Sequence, residues 1–320
     1  MKKLVLTFLK FLLATICVYC FVIVGLYKTK STLFSRTNLP QIERRRYGFT
    51  ARKFEEIQSE KKLDILILGS SLATRNYDSR VFEESDYRSF NLGVSSQKPN
   101  MTNIIAEEYL EKINVKVLVI DVNPYLMLTP DSYETVNLIM NSPFTTYDLD
   151  LFESAPSIMA FNSLIIKYTG FAEKDRLKKI KDSISDINDR YVGRGFVNTN
   201  AIYDKNKKTP NIKIKDFNPL KNQIESLENL ISSLKDKRIH YVLVLSPLNK
   251  TYFKTSKVSE KQFRSLSKTY FGKYGNYIDS NNLESYADSD FMDFSHLNAT
   301  GAQKFTKALL PILKAEIKND

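Results

Sequence analysis

Beyond the first sixty residues, short apolar runs alternate with longer stretches whose apolar positions recur at helical spacing. Leu63–Gly69 (LDILILG) closes on a glycine and reads as a strand buried on both faces. Tyr87–Gly93 (YRSFNLG) is a second short run, and Asn100–Asn114 brings Ile104, Ile105, Leu110 and Ile113 to helical spacing. Val115–Pro124 (VKVLVIDVNP) is a third strand, ended by Asn123-Pro124. Further on, Asn218–Lys237 sets Leu220, Ile224, Leu227, Leu230, Ile231 and Leu234 on one helical face. Arg238–Pro247 (RIHYVLVLSP) reads as another buried strand and Asn276–Asn281 as a last short one. Asn298–Ile317 reads as the closing helix, with Asn298 or Thr300 near its start. This alternation predicts an α/β domain with a parallel sheet, right-handed crossovers and helices on both faces. In such sheets, sites form at the carboxyl ends of the strands. Gly69-Ser70-Ser71, Asn91-Leu92-Gly93 and Asn123 all fall just past strand ends, so one sheet edge collects them.

Three segments depart from the alternation. Leu4–Tyr27 is apolar except for Lys10, and Phe11–Tyr27 is uninterrupted; a helix of ~17–25 such residues crosses a bilayer core. Lys10 lies near one end, where it snorkels to the headgroups. A cleaved signal peptide is the competing reading, but no small-x-small cleavage site appears around YKTKSTLFS, and Ile16 and Tyr19 precede the two cysteines where a lipoprotein site wants a small residue. The expectation is an uncleaved anchor over 1–27. Lys2, Lys3 and Lys10 on one side face Lys28, Lys30 and Arg36 on the other, so charge asymmetry votes only weakly on orientation. Residues 28–60 read as a polar juxtamembrane connector. Residues 61–320 form the α/β domain, interrupted at about 128–215 by a mostly helical insertion placed to roof the site. That insertion includes the charge run Glu173–Asp182.

The 320 residues, 42% of them hydrophobic, suffice for one sizeable domain plus these additions. A net charge of +11 raises nucleic-acid binding. No zinc-finger spacing, RNP-like motif or dense arginine run supports it; a solvated lysine-rich surface or a basic face beside an anionic membrane accounts for the charge. Cys17 and Cys20 are the only cysteines and both lie in the apolar segment, while His240 and His296 are the only histidines. No thiolate cluster or multi-histidine zinc site is therefore expected, and neither metal nor cofactor is assigned.

A serine becomes a nucleophile when a base takes its proton and donors wait for the oxyanion. Asp293 and His296 lie three residues apart in DSDFMDFSHLNATGAQKF. That spacing lets the carboxylate reach imidazole Nδ1 and leaves Nε2 for a serine from another strand. Asp290 is a weaker alternative carboxylate. Each residue also has an ordinary reading: Ser71 as a helix N-cap, His296 as a loop histidine, Asn123-Pro124 and Asn91-Leu92-Gly93 as turns, His240 as a structural strand residue.

Together, the Gly-x-Ser after the first strand, the later Gly93, the later Asn123 and the C-terminal Asp-x-x-His resemble the blocks of the SGNH (GDSL-type) hydrolases. The resemblance covers about residues 63–127 and 216–315, and DFSHLNATGAQKF is its most specific part. It implies a flavodoxin-like sheet, Ser71 as nucleophile, His296 as base oriented by Asp293, and an oxyanion hole from the Ser71 amide, Gly93 and Asn123. Two positions depart from the family pattern. Ser70 replaces the usual acidic residue, and Asp121-Val122-Asn123-Pro124 keeps only the asparagine of the third block. With the apolar segment, the layout is similar to anchored SGNH proteins that move or remove acyl groups on bacterial envelope polymers. That implies a single-pass chain with its domain outside the cytoplasm, an envelope glycan or acylated carbohydrate as substrate, and a multipass membrane acyltransferase as candidate partner. Esterase, O-acyltransferase and a non-catalytic glycan-binding or assembly module all remain open on these residues.

Overall fold

The computed structural model describes residues 1–29, 46–130, 133–143, 146–170, 189–204, 206, 217–254 and 258–318. The charge run Glu173–Asp182 and the basic positions Lys30, Arg36, Arg44 and Arg45 lie outside them. Five strands form one parallel sheet: β1 (Lys62–Leu68), β2 (Ser89–Asn91), β3 (Asn114–Asp121), β6 (His240–Leu245) and β7 (Tyr277–Asp279). Their spatial order is β2-β1-β3-β6-β7, the flavodoxin-like order of the doubly wound sheets. The antiparallel pair β4 (Asp189–Gly193) and β5 (Phe196–Thr199) stands apart from it.

The helices are α1 (Lys2–Lys28), α2 (Arg46–Glu56), α3 (Ser71–Asn76), α4 (Ser79–Glu83), α5 (Pro99–Leu110), α6 (Tyr133–Asn141), α7 (Asp148–Ser154), α8 (Ile158–Tyr168), α9 (Lys221–Asp236), α10 (Thr251–Lys254), α11 (Glu260–Phe271) and α12 (Ala299–Lys318). Strand side chains alternate between two cores, as the period of two requires. Ile65, Ile67, Val117, Val119, Val242 and Val244 face Phe305 and Leu309 of α12. Leu66, Leu68, Leu118, Ile120 and Leu243 face Met101 and Ile105 of α5 and the Leu227–Leu234 stripe of α9. Both faces are covered, which is why these strands read as unbroken apolar runs.

Two expectations change. The stretch 28–60 is not connector throughout: α2 packs Ala51, Phe54 and Lys53 inside the body. Its Thr50–Phe54 and Phe54–Ile57 spacings are the helical signal, masked by the charges between them. The 128–215 insertion supplies α6, α7 and α8, but these pack against α1, α2 and α5. Among the described residues of the insertion, the part nearest the sheet edge is the β4–β5 hairpin. Its Gly193-Arg194-Gly195 turn, flanked by Tyr191-Val192 and Phe196-Val197, is a hairpin signature. Arg194 ties the turn to the body, through its amide to Glu56 Oε1 at 2.9 Å, its guanidinium to Ser89 O at 2.9 Å, and an ion pair to Glu60.

The chain turns out of β1 at Gly69, whose φ of +144° is open to glycine only. A Cβ there would lie 2.7 Å from Asp121 Cβ and 2.9 Å from Asp121 O. Gly69→Ala should therefore lower the stability of the detergent-solubilised chain by about 1–3 kcal/mol in urea titrations. Ile202→Ala, at an exposed position, should stay within roughly 0.5 kcal/mol of the parent.

Candidate active site

Ser70, not Ser71, caps α3: its side chain accepts from Leu72 N at 3.3 Å. Ser71 is the first helical residue, with its hydroxyl left for other contacts. The loop before α12 brings His296 to it, with Nε2 2.7 Å from Ser71 Oγ. His296 Nδ1 lies 2.8 Å from Asp293 Oδ2 and 3.0 Å from Oδ1. With the Nδ1 hydrogen turned to the carboxylate, the Nε2 lone pair faces the serine hydroxyl. The three residues that the sequence singled out from two ends of the chain are thus in one hydrogen-bonded line.

Local chemistry shapes that loop. The Ser295 and His296 amides both donate to Asp293 Oδ1 at 2.8 Å, closing a tight turn. Phe291 bridges Leu297 across it. Leu297 N donates to Asn76 Oδ1 at 3.1 Å, tying the loop to the end of α3. Asn298 caps α12 by accepting from Gly301 N at 3.1 Å. Asp290 faces elsewhere, accepting from Ala287 N at 2.9 Å and from Lys304. His240 sits at the opposite end of β6, near Glu316. Burial works to raise the Asp293 pKa; the hydrogen bond and charge of His296, with the two amides, outweigh it and hold the carboxyl well below its usual range.

The expected oxyanion donors are arranged unequally. Ser71 N–H opens the first turn of α3, where helix amides have no intrahelical partner. Gly93 N–H instead donates to Asn91 Oδ1 at 3.0 Å. Asn123 does not line the space beside Ser71. Its Oδ1 accepts from Tyr125 N at 2.9 Å, its side chain bonds the Tyr252 hydroxyl, and it borders a separate cavity of about 20 Å³.

The space at Ser71 is a cavity of about 210 Å³. Its walls include Lys53, Thr74, Arg75, Val197 and Met292, none of them singled out by sequence. Lys53 is fully buried and donates to Gly93 O at 2.6 Å and Thr74 Oγ1 at 3.2 Å. Burial lowers its pKa well below the ordinary lysine value, and the nearby Arg75 charge lowers it further. Arg75 forks onto Asp189 of β4 at 2.9 and 2.7 Å, fixing the hairpin over the cavity. Beneath the elbow, Asp121 accepts from Tyr77 at 2.9 Å and from Ser246, and burial raises its pKa to about 7.

Comparison with known proteins adds distant likenesses. One protein-family model matches residues 195–319, less than half of the chain. No curated protein matches the sequence. Among solved structures, a protein assigned as an acylhydrolase from Bacteroides fragilis is 9% identical over 86% of this chain and 98% of its own, with a TM-score of 0.38. A lipolytic protein assigned to the G-D-S-L family, from Desulfitobacterium hafniense, is 10% identical over 79% of this chain and 99% of its own, also at 0.38. A protein assigned as a lipase from Chitinophaga pinensis is 11% identical over 79% and 98%, at 0.29. The reading of the site rests on its own geometry.

A carboxyl whose folded pKa is depressed contributes stability that is fully present above its unfolded value of ~3.9 and is lost as pH falls through the folded one. Asp293→Asn should therefore destabilise the chain at neutral pH. The gap to the parent should close only well below about pH 4, as read from thermal melts between neutral and acid pH.

Proposed function

We propose that this chain is a membrane-anchored serine esterase or O-acyltransferase that acts on acyl groups, such as O-acetyl, of a bacterial cell-envelope glycan. The observation that carries the reading is the line from Asp293 through His296 to Ser71, with Nε2 2.7 Å from Oγ. Ser71 Oγ attacks the acyl carbonyl while His296 takes its proton, and the imidazolium returns that proton to the departing alkoxide. A water or sugar hydroxyl, deprotonated by His296, then attacks the acyl-Ser71 carbonyl; the bond to Ser71 Oγ breaks, the imidazolium returns the proton to Oγ, and the acid or the new sugar ester leaves. The amide of Ser71 supports the developing oxyanion from the start of α3. A supporting role for Gly93 requires its amide to exchange Asn91 for the oxyanion. Asn123 requires a shift of its turn.

Support for membrane attachment comes from α1, a 27-residue helix long and apolar enough to cross a bilayer. In this reading α1 is retained, its N-terminus lies inside and the domain outside the cytoplasm. A multipass membrane acyltransferase is the candidate acyl donor. A second reading, a glycan-binding module without turnover, draws on the engaged Gly93 amide and on Asn123 standing off the cavity.

A fluorophosphonate probe followed by peptide mass mapping separates the two. The enzyme reading expects one label, on Ser71, absent from Ser71→Ala. Ser71→Ala and His296→Ala should each lower turnover of an acetyl ester by about three orders of magnitude or more, and the double variant by little more than either. Asp293→Asn should lose no more than His296→Ala. An unlabelled Ser71 together with no turnover would reject the enzyme reading and leave the binding module, whereas fully additive losses would reject the three residues as one catalytic unit.

A further inference from the structure

The helix α1 does not stand clear of the body. Ile23 and Tyr27 are buried against it, with Tyr19 and Leu26 packed alongside. Tyr19 Oη donates to Asn162 Oδ1 on α8 at 2.7 Å, and its ring lies 6.3 Å from that of Phe161. The apolar stretch clear of the body, Leu4 to Val18, is about 15 residues or ~22 Å long. A hydrocarbon core is ~30 Å thick and takes about 20 helical residues. Counted from Leu4, the far edge of the core falls near Ile23, roughly 6 Å beyond Tyr19 along the axis. If α1 spans, the part of α8 that touches Tyr19 lies within the bilayer.

The surface of α8 suits that position. Ile158, Phe161, Ile165 and Tyr168 recur at three- and four-residue steps and form one stripe. Beyond the C-terminal end of α1, six large apolar side chains are exposed among the described residues. Four of them, Leu149, Ile158, Phe161 and Tyr168, lie on α7 and α8. No charged residue occurs on α8 before Lys167. The Lys167 ammonium is turned inward onto Asp148 at 2.7 Å, with both side chains buried. A row of this kind beside a spanning helix continues its apolar surface at the membrane interface.

We propose that α8 is a membrane-seating element, its Ile158–Phe161 face sunk into the acyl region of the leaflet next to the domain that α1 crosses. This rests on the reading of α1 as a retained anchor. It makes the domain a body held to the bilayer by two adjoining surfaces rather than tethered by one helix.

The chain has no tryptophan, so a single introduced indole reports its own surroundings. Full-length Phe161→Trp, Ile158→Trp and Val18→Trp variants are reconstituted singly into phosphatidylcholine–phosphatidylglycerol vesicles containing no other protein. Lipids brominated near the glycerol end of their acyl chains probe shallow depth, and aqueous iodide probes exposure. The expected result is roughly twofold or greater quenching of Phe161→Trp and Ile158→Trp by the brominated lipid, with little quenching by iodide. If Val18→Trp is quenched by brominated lipid while both α8 variants are quenched by iodide instead, the anchor stands and the proposal falls, whether water or a membrane protein covers that face. If Val18→Trp also escapes the brominated lipid, the anchor reading fails and takes the proposal with it.

Discussion

The site depends on how closely the chain packs where it leaves β1. At Gly69 the backbone passes so near Asp121, at the end of the neighbouring β3, that no Cβ fits between them. Two dozen residues later Gly93 presses on the first turn of α3, and a Cβ there would meet Ala73 Cβ at 2.6 Å and Thr74 N at 2.9 Å. These two approaches fix the angle at which α3 departs from the sheet, and so the direction of the Ser71 hydroxyl. They occur between β1, β2 and β3, where the strand order reverses and open α/β sheets leave a crevice. A helix started elsewhere on this sheet would not present its first hydroxyl to the loop before α12.

Polar groups hold that arrangement from behind. Lys53 is buried with its Nζ donating to Gly93 O and Thr74 Oγ1, which joins α2 to the glycine approach. Asp121 joins Tyr77 and Ser246, so the end of α3, β3 and the exit of β6 are coupled beneath the elbow through one carboxyl. Arg75, one turn after Ser71, anchors the hairpin through Asp189. Such groups are costly to leave unpaired in an interior and define one geometry when paired. The cavity beside Ser71 is consequently walled by Lys53, Arg75 and hydroxyl side chains, with Phe49, Val94, Val197 and Met292 as its apolar part.

The other end of the insertion serves a different surface. While β4 and β5 close on the sheet edge, α6 and α8 bring Val136, Ile139, Leu164 and Ile166 into the core shared with α5, and α8 receives α1. One inserted segment thus contributes both a wall of the cavity and the seat of the apolar N-terminal helix. The distance between Ser71 and the end of α1 is set through this single body.

Much of this was legible in the residues themselves. The five strands, the parallel α/β class and the apolar α1 follow from the pattern of apolar positions, because a strand buried on both faces is an unbroken apolar run and α1 is a longer one. Ser71, Asp293 and His296 were legible because a turn-forming Gly-x-Ser and a three-residue Asp–His spacing are local chemistry. The wall of the cavity was not. Lys53 and Arg75 look like surface charges in sequence, and only the packing of α2 and the hairpin buries them against Ser71. The donors were decided the same way: Gly93 and Asn123 stand at the predicted strand ends, yet their polar groups turn to Asn91, Tyr125 and Tyr252. Residue type and spacing specify what a segment can do by itself. Which of its polar atoms remain open is decided by neighbours brought from elsewhere in the chain, because each buried donor takes the acceptor that the fold sets beside it.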